Sequence, residues 1–211
     1  MLKNYFNTAI RNLFRNKVYA FINISGLALG ISCCLLISLY VYDEMNFDNF
    51  HAGKDRLYRV AADLYLNNEK TTTGLTSLAV GPSLEEDFPE VEAAVRMMSM
   101  GNKITIRYED KMFYEEGLFL TDSTYFKVFS FDLLAGHPDQ VLTRPKTIVL
   151  TKTLADKYFG HEEAVGKVIL INNKEYEVVG VMQDPPSNTD LQFKGLASIN
   201  SLPKEVAETF N

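Results

Sequence analysis

The 211-residue sequence has no tryptophan, two cysteines and three histidines. The cysteines, Cys33 and Cys34, are adjacent, so they cannot bracket a loop, and neither a disulfide framework nor a C-x-x-C redox or zinc motif is available. None of His51, His137 and His161 has a second histidine three or four residues away, so half a metal site is missing at each, and all three read as surface or loop histidines. The phosphate loop G-x-x-x-x-G-K-[ST] is absent, and with it the backbone nest and lysine that hold nucleotide phosphates. The G-x-S-x-G turn of a serine nucleophile is absent too. Adjacent carboxylates such as Glu85-Glu86-Asp87, Glu115-Glu116 and Glu162-Glu163 diverge on helices and strands alike, so they read as solvated faces rather than acid/base pairs. No catalytic residue, metal site or cofactor is expected.

Charge is missing from one long stretch. Val18 to Tyr42 runs 25 residues without a charged side chain, which as a helix rises about 37 Å and exceeds the roughly 30 Å of a bilayer's hydrocarbon core. A secretory signal would stop sooner, at a small-x-small site; here Ala28-Leu29-Gly30 is followed by residues as apolar as those before it. Gly30 also stands where a lipoprotein signal carries a larger aliphatic residue three places before the cysteine. Lys3, Arg11, Arg15 and Lys17 precede the stretch with no acidic residue among them, whereas Asp43, Glu44 and Asp48 follow it. The excess of positive charge on the cytoplasmic side of membrane helices then places residue 1 inside. The expected organisation is a cytoplasmic amphipathic helix over 1–17, a transmembrane helix over 18–42 and an extracytoplasmic domain over 43–211. Setting aside the four leading positives leaves 17 basic against 27 acidic residues in that outer part, which excludes nucleic acid and anionic lipid as its partners.

Before the span, Leu2, Tyr5, Phe6, Ala9, Ile10, Leu13 and Phe14 recur at helical spacing on one face. Two roles fit this face: an anchor resting among lipid headgroups, or a cytoplasmic element that moves with a partner. Within the span, Gly26 and Gly30 form a G-x-x-x-G pair, and Asn23, Cys33 and Cys34 lie near the same face, on which a second transmembrane helix can approach closely.

After Asp43 the pattern is mixed α+β. Strands are expected over Arg56–Leu66, Val91–Met100, Thr147–Leu150 and Leu191–Ile199, with hairpins made by Ile104–Tyr108 and Lys111–Leu120 around Glu109-Asp110, and by Val168–Ile171 and Glu175–Met182 around Asn172-Asn173-Lys174. Helices are expected over Leu78–Phe88, from a cap at Asp122 or Ser123 through Phe129, and over Lys152–Phe159 between a Thr151 cap and Gly160. Asp184 to Asn188 reads as a loop, and Pro203 as the start of a last helix. Tyr125, Phe126, Val128, Phe129 and Phe131 fit either a core face or an exposed partner patch, and the core reading is preferred.

These residues resemble the N-terminal part of the MacB/FtsX-like permease family of ABC transporters. The likeness runs in order through NYFNTAIRNLFRNKVYAFINISGLALGISCCLLISLYVYDEMNFDNFH, DRLYRV, FPEVEAAVRM, DSTYFKVFSFDLLAGHP, TIVLTKTLADKYFG and VGKVILINNKEYEVVGVMQDPP. The resemblance implies a bacterial inner-membrane protein with a MacB-like periplasmic core domain after its first helix and three more membrane helices beyond, so the chain is expected to be an N-terminal portion of such a permease. It further implies a separate ABC ATPase subunit on the cytoplasmic side, a homodimer or paired permease, and a periplasmic adaptor or substrate protein. Asn23, Gly26, Gly30 and Cys34 would then pack against other membrane helices, and Tyr42 to Phe50 would link membrane motion to the outer fold. The alternative from a different class is a single-span anchored binding or sensor module, and an anchored hydrolase stands third.

Overall fold

The computed structural model describes residues 2–66 and 69–203 and divides into two units, Met1–Phe47 and Asp48–Asn211. The first unit holds α1 (Leu2–Arg15) and α2 (Lys17–Met45). Asn16 separates them, but its amide bonds back to the Asn12 carbonyl at 3.0 Å and its carbonyl accepts from Ala20 at 2.9 Å, so the backbone ladder is nearly continuous. Helix α2 is long and apolar enough to cross a membrane. Its large apolar side chains are exposed all round, Phe21, Leu29 and Leu36 among them, and a helix of that kind needs lipid or other helices as its surroundings. Ser32 returns its hydroxyl to the Ala28 carbonyl at 2.8 Å, and Ser25 does the same with Phe21, so neither hydroxyl is left unsatisfied in an apolar medium.

The second unit opens with a 3₁₀ turn at Lys54–Arg56 and a two-stranded ribbon, β1 (Ala62–Leu66) against β2 (Glu69–Thr73). Then come α3 (Val80–Asp87), β3 (Met97–Ser99), β4 (Ile104–Tyr108), β5 (Lys111–Glu115), β6 (Leu118–Thr121), α4 (Tyr125–Val128), β7 (Leu133–Ala135), β8 (Thr147–Thr151), α5 (Lys152–Phe159), β9 (Val168–Ile171), β10 (Lys174–Met182) and β11 (Gly195–Ser198). Among the described residues the main sheet has nine strands in the order β3-β6-β11-β8-β10-β9-β4-β5, with β7 also paired to β10. Two neighbouring pairs, β8 with β10 and β6 with β11, are parallel.

Strand β8 lies at the centre, and all five of its residues are buried. Its alternation feeds two cores. Ile148 and Leu150 join Ile104, Ile106, Leu118, Ile169 and Val178 beneath Leu154, Tyr158 and Phe159 of α5. Val149 faces the opposite side with Leu142, Met182, Leu196, Tyr125, Phe131 and Phe193. A strand covered on both faces reads as a continuous apolar run, as TIVL does.

Local chemistry explains the elements that match expectation. Thr151 caps α5 by accepting from the Leu154 amide at 3.4 Å, and Gly160 ends it at φ 65°. Asn172 and Asn173 sit at φ 47° and 63°, giving the two-residue turn with both φ positive that suits the right-handed twist of the β9–β10 hairpin. The aromatic residues after Asp122 are core: Tyr125 is fully buried and Phe126 and Phe129 pack against the second cluster.

Five expectations are corrected. Lys111–Leu120 is two strands, because Gly117 at φ 75° breaks the run; β5 stays at one sheet edge beside β4 whereas β6 pairs between β3 and β11. Arg56–Leu66 is strand only from Ala62, where β2 supplies a partner, and Val91–Met100 only at Met97–Ser99, where β6 does. Leu191–Ile199 is strand only over Gly195–Ser198, since the Gln192 side chain folds back on the carbonyls of Pro186 and Thr189. Neither Asp122 nor Ser123 caps the helix: the Asp122 carboxylate is taken by Arg96, at 2.6 Å from Nη2 and 3.0 Å from Nε, and α4 starts at a backbone turn closed by the Tyr125 amide on the Asp122 carbonyl. The helix expected after Pro203 lies outside the described residues.

Gly136 and Gly160 both have positive φ, but a Cβ on Gly136 would also lie 2.6 Å from the Val179 carbonyl oxygen, while one on Gly160 meets nothing within 4 Å. Gly160→Ala is therefore expected to cost roughly 1 kcal/mol, and Gly136→Ala clearly more, measured as the shift in the domain's denaturant midpoint.

Candidate functional site

Three places carry polar or small-residue chemistry, each within a single unit. The first is the small-residue face of α2. Asn23, Gly26, Gly30 and Cys34 follow at intervals of three, four and four and so share one side of the helix, with Cys33 at its margin. All five are exposed, and a Cβ at Gly26 or Gly30 would meet nothing within 4 Å. The face is a shallow strip along an otherwise bulky helix.

The second is the chain that opens the domain. Asp48 donates its amide to the Asn188 carbonyl at 3.0 Å, and its carboxylate accepts from the Thr189 hydroxyl. Ala52 donates to the Ser130 hydroxyl at 2.9 Å, and the Phe50 ring packs edge-on to Phe131 at 5.3 Å. Between them His51 lies on a loop, one of the two places expected for it, but at 4% exposed it is not on the surface; His137 and His161 are exposed as expected.

The third is a polar cleft of about 410 Å³ between α5, the end of β5 and the loop from Asp184 to Lys194. Glu115 forms its floor with a side chain 1% exposed, which overturns the reading of Glu115-Glu116 as solvated; Glu116 alone is on the surface. Strand alternation explains the split: Glu115 faces Ile104 across the β4–β5 pair and so turns toward α5. Its carboxylate accepts from Lys157, from Lys194 at 3.1 Å and from the Tyr158 hydroxyl at 3.4 Å. Burial pushes the Glu115 carboxyl up, but the hydrogen bonds and charges of the two lysines outweigh it and hold the group below the ordinary carboxylate range. Burial and the nearby carboxylate push the Tyr158 phenol up, so it serves as a donor. Across the cleft Asp184 accepts from both the amide and the hydroxyl of Thr153, so the N-terminus of α5 is already occupied by a side chain of the same unit. Both lysines of the cleft are thus held by Glu115 and Asp184 is held by Thr153, and the arrangement is a clasp tying β5, α5 and the segment that leads into β11.

Glu115 has a folded-state affinity for protons lower than in the unfolded chain, so its contribution to stability is present above about pH 4.3 and is lost as pH falls through its depressed folded value. Glu115→Gln should therefore lower unfolding free energy by about 1.5–3 kcal/mol near neutrality, and the gap to wild type should close as pH drops below about 4, as followed by denaturant unfolding.

The family model described as "MacB-like periplasmic core domain" matches residues 20–205. No curated protein matches. A domain of a Porphyromonas gingivalis protein assigned as a permease is similar in structure, with a TM-score of 0.58 and 25% identity over 68% of this chain and 61% of that one. The periplasmic region of MacB from Actinobacillus actinomycetemcomitans aligns at TM-score 0.48 and 16% identity over 74% of this chain and 64% of that one. The extracellular domain of the ABC-type transporter YknZ from Gram-positive bacteria aligns at 0.48 and 20% over 62% and 66%. The chain thus spans less than two thirds of the length of each of these structures. With the family model covering most of its length and one helix fit to cross a membrane before the α+β fold, the chain is a membrane-anchored member of the MacB-like periplasmic core domain family.

Proposed function

We propose that this chain acts as the membrane-spanning subunit, or the N-terminal part of one, in an ABC-type permease, in which a separate ATPase supplies the work and the outer domain delivers it to a substrate or adaptor protein. The observation that carries the reading is the family match over residues 20–205, which takes in α2 as well as the domain behind it. The lack of a phosphate loop in this sequence is consistent with nucleotide hydrolysis by a partner. The positive residues before α2 and the acidic ones after it support a cytoplasmic α1, on the side where that partner works, and a domain outside. The strip formed by Asn23, Gly26, Gly30 and Cys34 is the contact for another membrane helix, either of a second copy or of a paired permease, because close backbone approach drives helix association where burial from water cannot.

The test is co-expression with any ABC ATPase encoded beside this chain's gene, purification in detergent, and cross-linking through Cys33 and Cys34. Wild type should retain the ATPase and cross-link, whereas Gly26→Leu or Gly30→Leu should insert normally but cross-link several-fold less. A chain that binds no ATPase would contradict the permease reading, and unchanged cross-linking in the leucine variants would remove the glycine strip from it.

A further inference from the structure

The buried imidazole of His51 has bonding that distinguishes its protonation states. Nδ1 accepts a hydrogen bond from the Ser130 amide at 3.2 Å. An acceptor nitrogen carries no proton, so the ring's hydrogen is on Nε2, and Nε2 is buried without a hydrogen-bond partner among the described residues. The ring is enclosed by aromatic side chains: Phe50 at 4.0 Å between centroids, Phe129 at 5.3 Å and Phe131 at 5.4 Å. Adding a proton would turn Nδ1 into a donor facing the Ser130 N–H donor, and would leave a cation with a bare N–H in an apolar cage. The neutral ring fits the site and the charged ring does not.

We propose that His51 is an acid-sensitive latch, fastening residues 48–52 to the second core of the domain when neutral and releasing them when protonated. The charged and titratable groups around it leave that sense intact. Asp48, on the same segment, favours the cation, but it is engaged by the Thr189 hydroxyl, and desolvation outweighs it so that the ring's proton affinity is lowered. The facing segment, residues 129–131, presents two phenyl rings and the Ser130 amide and hydroxyl. Tyr125, stacked on Phe131, is pushed up by burial and remains a neutral phenol throughout. The linkage sign is that of a histidine with a lowered folded value. The latch is at full strength above the unfolded histidine's range near pH 6.5, and weakens as pH falls below it, because the opened segment binds a proton that the closed one refuses. Since Ser130 bonds both the His51 ring and the Ala52 amide, opening frees both sides of the contact together.

The experiment is hydrogen exchange on the full chain in detergent at about pH 7.5 and pH 5.0, with exchange corrected for its intrinsic pH dependence. Peptides covering residues 48–54 and 127–132 should lose protection by roughly ten- to thirtyfold at the lower pH, the ceiling set by a free histidine's titration over that interval, while peptides from β8 and β10 hold theirs. His51→Phe, which fills the cage without titrating, should abolish the pH effect. Equal protection at both pH values, or the same acid loss in His51→Phe, overturns the proposal. Should the variant not fold, nitrogen NMR of the wild-type protein decides: His51 must show the Nε2–H tautomer and stay neutral as pH falls through a free histidine's range, about 6.5. A His51 ring that takes up its proton in the free histidine's range would equally overturn it.

Discussion

Strand β8 has no solvent face, and the rest of the domain follows from that constraint. A strand buried on both sides needs a layer on each, and its connections must leave and return without exposing backbone. On one side the layer is α5, capped by Thr151 at the very end of β8, so the strand hands its chain directly to its own cover. The β9–β10 hairpin then brings β10 back parallel to β8. On the other side no long helix of this unit covers the sheet among the described residues. The gap is filled by aromatic side chains, Tyr125, Phe131 and Phe193, packed edge-on and stacked at 5.3–5.9 Å. Phe50 and His51 complete that layer, which makes the first residues of the domain part of its core rather than a tether.

What was legible in the sequence is what local chemistry decides. The 25-residue uncharged run, the Thr151 cap, the Gly160 stop and the paired asparagines of the β9–β10 turn each carry their cause within a few residues. What was not legible depends on distant partners. LYRV has a strand's composition but pairs with no strand among the described residues, and Gly117 stands as a break because the sheet order separates β5 from β6. Asp122 looked like a cap because nothing nearby announces Arg96, 26 residues earlier, as a competitor with three donors to offer.

The two polar residues that sequence reading misplaced share a reason. Glu115 and His51 are of types that usually sit in water, and each is buried because elements distant in sequence supply its partners: Lys157 and Lys194 for the glutamate, Ser130 and its phenylalanine neighbours for the histidine. They differ in how fully they are satisfied. Both Glu115 oxygens have cationic partners, so the clasp holds until the carboxylate itself is protonated, whereas His51 is satisfied on one nitrogen alone among the described residues and is sensitive to the addition of a single proton.

The central physical claim is that residues directly following the membrane helix are structural members of the domain's second core. The unfolding midpoint of Phe50→Ala in the full chain tests it most directly, with the exposed Tyr58→Ala as control. The account predicts a loss of about 2–3 kcal/mol for Phe50→Ala, somewhat below that of a fully buried phenylalanine, against a change within about 0.5 kcal/mol for the control. A Phe50→Ala midpoint no lower than that of Tyr58→Ala would contradict it.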